Sequence, residues 1–182
     1  GSTQVGKLIQ KSLAGRDVGL TLELGGKAAN IVYEDAAIDQ AVEGVVNGIF
    51  FNQGHVCCAG SRLLLQESIH DEFVKKLEKR MQSLRVGNPL DKNTDIGAIN
   101  SKEQLDKITG LVNEGVEDGG ELFQTECELP GNGFWFRPTL FTNVQPSYSI
   151  AREEIFGPVL TTLTFRTPEE AVEIANNTEY GL

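Results

Sequence analysis

Apolar side chains recur along this chain at two periods, and the switches between them mark out an order of helices and strands. Val5, Leu8, Ile9 and Leu13 fall on one face at helical spacing, with Ser2 or Thr3 placed to cap that helix. Leu20, Leu22 and Leu24 then alternate with Thr21 and Glu23, a period of two that predicts a strand ending at Gly25-Gly26 and points Glu23 away from the leucines. The clearest helix follows: Asp35 is its expected cap, and Ile38, Ala41, Val42, Val45, Val46, Ile49 and Phe50 form its apolar stripe. Its end is expected near Asn52-Gln53-Gly54.

Beyond the adjacent Cys57 and Cys58, the run from Arg62 to Gln66 predicts a strand. A helix capped at Ser68 should come next and bury Phe73, Leu77, Met81 and Leu84. Ser101 and Gln104 spell a capping box before Leu105, Ile108 and Val112. Strands are expected over 136–144 and 159–165, and Thr167-Pro168-Glu169-Glu170 combines a cap, a first-turn proline and a second box. Strands and helices alternating in this way argue for an α/β fold with a mainly parallel sheet flanked by helices.

Charge removes several function classes. Lys and Arg number 16 against 26 Asp and Glu, a net charge of −10, and the longest basic stretch, Lys75 to Arg80, is interrupted by Leu77 and Glu78. Such a chain lacks the cation cluster that neutralises nucleic-acid phosphates, so no nucleic acid is expected as partner. No apolar run reaches the ~18 residues of a membrane helix, and a cytoplasmic protein with no membrane partner is the expectation. Three cysteines, two of them neighbours, make a poor disulfide framework and read as reduced thiols. With Met81 its only methionine, the chain reads as a segment of a longer protein.

A cysteine on a glycine-bounded turn after a long amphipathic helix is a candidate nucleophile, because thiolate attack needs exposure and backbone donors aimed at the developing oxyanion. The competing reading for Cys57 or Cys58 is a small buried apolar residue. Glu23 is either a base or simply a solvated carboxylate. No metal is expected, because neighbouring cysteines seldom share one zinc and no second ligand pair completes four. A thiol hydrolase would draw its base from His55 or His70, the only histidines. Gly1 to Gly6 form a glycine-containing helix entry suited to a phosphate, although the full dinucleotide fingerprint is absent.

Three ordered blocks make these signals specific. Leu22-Glu23-Leu24-Gly25-Gly26-Lys27 and Phe51-Asn52-Gln53-Gly54-His55-Val56-Cys57-Cys58-Ala59-Gly60-Ser61-Arg62 closely resemble the glutamate and cysteine signatures of the aldehyde dehydrogenase superfamily. Glu153-Glu154-Ile155-Phe156-Gly157-Pro158 is similar to that family's cofactor-ribose motif, and 176–182 to its asparagine-rich stretch before Tyr-Gly-Leu.

The resemblance implies an NAD(P)-dependent enzyme of the hydrolytic type, with Cys57 as nucleophile, Cys58 as its non-catalytic neighbour and Glu23 as general base. It implies NAD or NADP as cofactor and a small-molecule aldehyde as substrate. Ser2, with Gly1 and Gly6, would receive the pyrophosphate. Leu24 would border the nicotinamide, Glu154 would bind its ribose and Phe156 would lie beside the ring, with Gln104 and Lys107 as peripheral contacts. Residues 1–26 would be the last helix and strand of a cofactor-binding domain, and 27–182 an incomplete catalytic domain. The oxyanion asparagine and the residues choosing between the two cofactors would lie before Gly1, so the isolated chain is expected to be inactive and the parent a homo-oligomer. A catalytically silent interaction domain of the same fold and a cofactor-independent thiol hydrolase are the alternatives.

Overall fold

The computed structural model describes residues 1–182. Helix α1 (Thr3–Leu13) is capped by Ser2, whose Oγ accepts the Val5 amide at 3.3 Å. Its apolar stripe is not buried: Val5, Leu8 and Ile9 stay 40% to 65% exposed, and only Gly6 packs closely, against Leu24. The strand expected over Leu20 to Leu24 does not form; residues 18–28 are irregular, because no other segment of the chain lies alongside to take up their ladder hydrogen bonds. The chain enters the sheet five residues after Leu24, at β1 (Ala29–Val32), a short strand that begins with a small and a polar residue and has no sequence periodicity of its own.

Five strands follow the spatial order β1-β2-β5-β4-β3, where β2 is Arg62–Gln66, β3 Glu121–Gln124, β4 Thr139–Thr142 and β5 Val159–Phe165. The first four in that order are parallel, and β3 closes one edge antiparallel to β4. The sheet is therefore mainly parallel and flanked by helices, as the alternation of elements predicts. β4 is shorter than the expected 136–144: Pro138 has no amide hydrogen to pair, and Asn143 turns the chain with a left-handed φ of 52°.

Period two within the strands sends side chains to two cores. Leu63, Leu65, Leu140 and Leu160 face α2 (Ile38–Phe50) and α3 (His70–Met81), where Val42, Val46, Phe73 and Leu77 meet them. On the opposite face, Phe141 and Val159 meet Ile108 and Val112 of α4 (Lys102–Glu117) and Ile150 of α5 (Ser149–Arg152). Leu64, Leu163 and Phe165 pack there on Ala171 of α6 (Pro168–Asn176). Both faces of the parallel strands are covered, which explains their near-continuous apolar sequences.

Helix caps depart from the sequence pattern in instructive ways. Asp35 does not cap α2, since the residue before that helix is Ala37 and no side chain caps it. Ser68 lies in a 3₁₀ turn at Glu67–Ile69 and donates instead to Glu34 Oε2 at 2.8 Å. Ser101 and Thr167 do cap, accepting the amides of Gln104 and Glu170. The return half of each box is diverted: Glu170 accepts the Arg166 amide, and Gln104 reaches to a distant loop.

Candidate active site

Helix α2 ends at Phe50, and a 3₁₀ turn at Phe51–Gly54 swings the chain outward through two left-handed residues, Asn52 and Gln53. Gly54 has a φ of 76°, and a Cβ there would run into the carbonyl of Gly157, so the turn is seated directly on the loop before β5. The next residues hold Cys57 and Cys58 exposed on a turn closed by the Ala59 amide donating to Val56 O at 3.0 Å. Gly60 anchors the far side through its amide to Gly48 O, 3.1 Å away, before β2 begins.

The segment carrying Glu23 lies against this turn. A Cβ on Gly26 would come within 2.5 Å of the Cys57 carbonyl oxygen and 2.9 Å of that of Leu182, so only glycine permits this approach. Glu23 itself is exposed, and its carbonyl accepts from the Gly1 nitrogen at 2.9 Å. The segment that follows Glu23 and the turn that carries Cys57 thus meet at Gly26.

Glu154 completes the meeting of loops. Its Oε1 accepts the Gly26 amide at 3.0 Å, and its other carboxylate oxygen lies where a Cβ on Gly25 would sit. Phe156, two residues on, has a left-handed φ of 55°, a conformation that costs a bulky residue about 1–3 kcal/mol. Its ring meets His55 edge to face, with centroids 5.3 Å apart. Ile155, Phe156 and Glu154 line a crevice of about 10 Å³ with Gly26, Gly54 and Val56.

Gln104 and Lys107, expected as peripheral cofactor contacts, both grip this loop. Gln104 Nε2 donates to Ile155 O at 2.8 Å and to Phe156 O at 3.0 Å. Lys107 Nζ donates to Glu154 O at 2.6 Å. At the other end, Gly1 and Gly6 flank Leu24, and the first turn of α1 leaves backbone amides free to meet an anion beside Ser2. A continuous row runs from the α1 start through Leu24 and Gly25-Gly26 to Glu154 and Phe156, a helix terminus at one end and a carboxylate at the other. That donor set fits a phosphate-bearing, polyhydroxylated ligand.

Three residues outside the predicted set, Lys27, Arg62 and Tyr180, shape the site together with His55, which the sequence offers only as the base of a thiol hydrolase. Lys27 is fully buried, and its Nζ has no hydrogen-bond partner. Burial lowers its pKa from 10.5 to about 7, helped by the nearby Arg62 and Lys107 and opposed by Glu153 and Glu154. Arg62 donates from Nε to Lys27 O at 2.8 Å and from its two terminal nitrogens to Ile174 O and Ala175 O, fastening the last turn of α6 to the site. Tyr180 accepts the Glu154 amide through its hydroxyl at 3.3 Å, and burial raises its pKa. His55 holds a buried Nε2 without a partner. A lysine between Gly-Gly and Ala-Ala is a local sign of close packing; Arg62 ends the cysteine block and Tyr180 lies in the 176–182 stretch, but no local pattern shows which partners they take.

Comparison with known proteins shows the family to which the chain belongs. The profile of the aldehyde dehydrogenase family matches residues 1–182. Retinal dehydrogenase 2 of Taeniopygia guttata is 48% identical over 187 aligned residues, covering 100% of this chain and 35% of that protein. Among solved structures, an NAD-dependent aldehyde dehydrogenase from Sinorhizobium meliloti superposes with a TM-score of 0.95 at 43% identity, over 100% of this chain and 36% of that one. Betaine aldehyde dehydrogenase from Staphylococcus aureus, in complex with NAD+, gives a TM-score of 0.93 at 37% identity, with 100% and 37% covered. The chain therefore spans about a third of the length of these relatives.

Proposed function

The chain belongs to the aldehyde dehydrogenase family, and on that premise we propose that it carries the thiol, the base and part of the cofactor cradle of an enzyme oxidising an aldehyde to a carboxylic acid. The observation that supports this reading most is the packing of three distant segments on one another: the Cys57 turn, the Gly25-Gly26 run after Glu23, and the Glu154 carboxylate. A protein of the relatives' length would contribute the remainder, and the 182 residues alone would not turn over.

Ser2 with Gly1 and Gly6 would hold the pyrophosphate of NAD or NADP, Leu24 and Phe156 would flank the nicotinamide, and Glu154 would accept from its ribose hydroxyls. When bound, the cofactor supplies a hydride acceptor. The Cys57 thiolate attacks the aldehyde carbon, forming the carbon–sulfur bond while the carbonyl electron pair moves to oxygen, where backbone amides of the turn can donate. At the thioester stage, the Glu23 carboxylate takes a proton from water, the resulting hydroxide adds to the acyl carbon, and the Cys57 thiolate leaves. Exposure of Glu23 and Cys57 suits both steps, since each group must meet a diffusing reactant. We assign residues 1–26 to the cofactor-binding unit and 27–182 to the thiol-bearing unit; the open apolar face of α1, against the closed sheet that begins at Ala29, supports that division.

The test is turnover of an aldehyde with NAD or NADP by the full-length protein, followed by absorbance of the reduced cofactor. Cys57→Ala should abolish it and Cys58→Ala should leave most of it. Glu23→Gln should give a burst of reduced cofactor and then a slow steady state. An active Cys57→Ala variant would overturn the assignment, and thiol-dependent ester hydrolysis with no cofactor reduction would favour a hydrolase.

A further inference from the structure

Cys57 sits in the turn from Val56 to Ala59, and that turn is held at both ends. On the far side the Gly60 amide donates to Gly48 O of α2; on the near side the holding falls to His55, the residue directly before Val56. The link from α2 to His55 is costly backbone. Asn52, Gln53 and Gly54 have φ of 49°, 48° and 76°, three left-handed residues in succession, which a chain of L residues keeps only when its surroundings impose it. His55 supplies much of that constraint. Its amide donates to Asn52 O at 3.0 Å, its carbonyl accepts from Asn52 Nδ2 at 3.1 Å, and its Nδ1 lies 3.3 Å from Gln53 O. Its ring is braced from outside the turn by the edge-to-face contact with Phe156.

A carbonyl oxygen can only accept, so the bond to Gln53 O requires the imidazole proton on Nδ1. With the proton on Nε2 instead, two lone pairs would face each other at 3.3 Å. Nε2 is thereby the bare nitrogen, and it is buried with no hydrogen-bond partner, the Cys57 sulfur included. His55 is therefore not paired with the thiol as a base would be. We propose that His55 is a positioning residue for Cys57: in its Nδ1–H form it pins the left-handed turn through Gln53 O, and so fixes where the thiol is presented. This rests on the reading that Cys57 is the nucleophile. The thiol stands only two residues beyond the pin, and a displacement of about 1 Å at a reacting atom can cost ~100-fold in rate.

Three substitutions in the full-length protein separate the donor from the ring. His55→Phe keeps a ring against Phe156 and loses the donor, His55→Asn keeps a donor near the place of Nδ1 and loses the ring, and His55→Ala loses both. With an aldehyde and NAD, His55→Ala and His55→Phe should lower the first-turnover rate of cofactor reduction about 10-fold or more, while the KM for NAD stays within about twofold. His55→Asn should bring that rate back to within about threefold of the unsubstituted protein. Nitrogen NMR of protein labelled in its histidine rings, with the His55 signals assigned by their loss in His55→Asn, should show the proton on Nδ1. A proton on Nε2, a His55→Asn variant as slow as His55→Ala, or a full rate in His55→Ala or His55→Phe beside an inactive Cys57→Ala would each overturn the proposal and leave Cys57 as the nucleophile. A full rate in Cys57→Ala would overturn both.

Discussion

The Glu154 carboxylate accepts the backbone amide of Gly26 at 3.0 Å, a bond between residues 128 positions apart. It closes the site from behind, because Gly26 in turn lies against the carbonyl of Cys57. The loop before β5, the segment after Glu23 and the cysteine turn consequently share one point of contact. A change at any of the three should be felt by the others.

Gly25→Ala and Gly26→Ala should therefore differ. A Cβ at Gly25 meets the Glu154 carboxylate at 2.5 Å, the far end of a flexible side chain that can swing aside. At Gly26 it meets two backbone carbonyls, of Cys57 and Leu182, which cannot move alone. Overpacking of that kind typically costs about 1–3 kcal/mol. Urea unfolding should show Gly26→Ala losing about that much and Gly25→Ala clearly less; equal losses would mean that the turn is more compliant than its contacts indicate.

Thiol exposure gives a second test. Cys57 and Cys58 are exposed on their turn, while Cys127 is half-buried with its sulfur 3.4 Å from Thr125 Oγ1. Alkylation of the native protein with iodoacetamide, read by peptide mass spectrometry, should label Cys57 and Cys58 well before Cys127. Slow labelling of Cys57 together with fast labelling of Cys127 would contradict the placement of the turn.

How much of this was legible in the sequence depends on whether a feature is local. The α2 stripe from Ile38 to Phe50 and the apolar run from Arg62 to Gln66 describe their own burial, and both elements form where the pattern puts them. The alternation of Leu20, Leu22 and Leu24 also reads as a strand, yet a strand needs a neighbour, and the chain provides none there. β1 and β3 escape notice for the converse reason: Ala29-Asn30 and Glu121-Leu122 carry little pattern and are recruited by the strands beside them. Within the site, motif blocks single out Cys57, Glu23 and Glu154, whose segments meet at Gly26. The hydrogen bonds of Gln104 and Lys107 to the loop are not legible in the sequence, because the carbonyls they meet lie some 50 positions away.

Arg62 should be among the most costly side chains to remove. Its guanidinium holds three carbonyls, those of Lys27, Ile174 and Ala175, from a residue only 4% exposed. Hydrogen bonds from a charged donor are worth about 1.5–3 kcal/mol each, and their buried acceptors would be left unpaired. Arg62→Ala should lower the unfolding free energy by about 3 kcal/mol or more, and Arg62→Lys by less, since an ammonium cannot span the same fork. Amide exchange along α6 should rise in both; an α6 as protected as before would show that the helix is held by Ala171 and its neighbours alone.

The buried Lys27 ammonium makes the stability of the fold depend on pH. Burial lowers the pKa of this ammonium to about 7 from 10.5, so between those values the unfolded chain binds a proton that the folded chain does not. Stability therefore rises with pH across that window, by at most about 1.4 kcal/mol per pH unit. Below pH 7 both states carry the charge, and the penalty of burying it, about 4–5 kcal/mol by the same conversion, is present in full. The facing groups are Arg62 and Lys107, which add to the penalty, and Glu153 and Glu154, which reduce it. Lys27→Met keeps an unbranched chain of similar length without the charge, and should remove this dependence. Urea unfolding of both proteins from pH 6 to 9.5 should show a stability gap in favour of Lys27→Met that is widest near pH 6 and narrows steadily above pH 7. A gap that stays constant over the range would mean that the Lys27 ammonium finds a partner in solution and titrates where an ordinary lysine does.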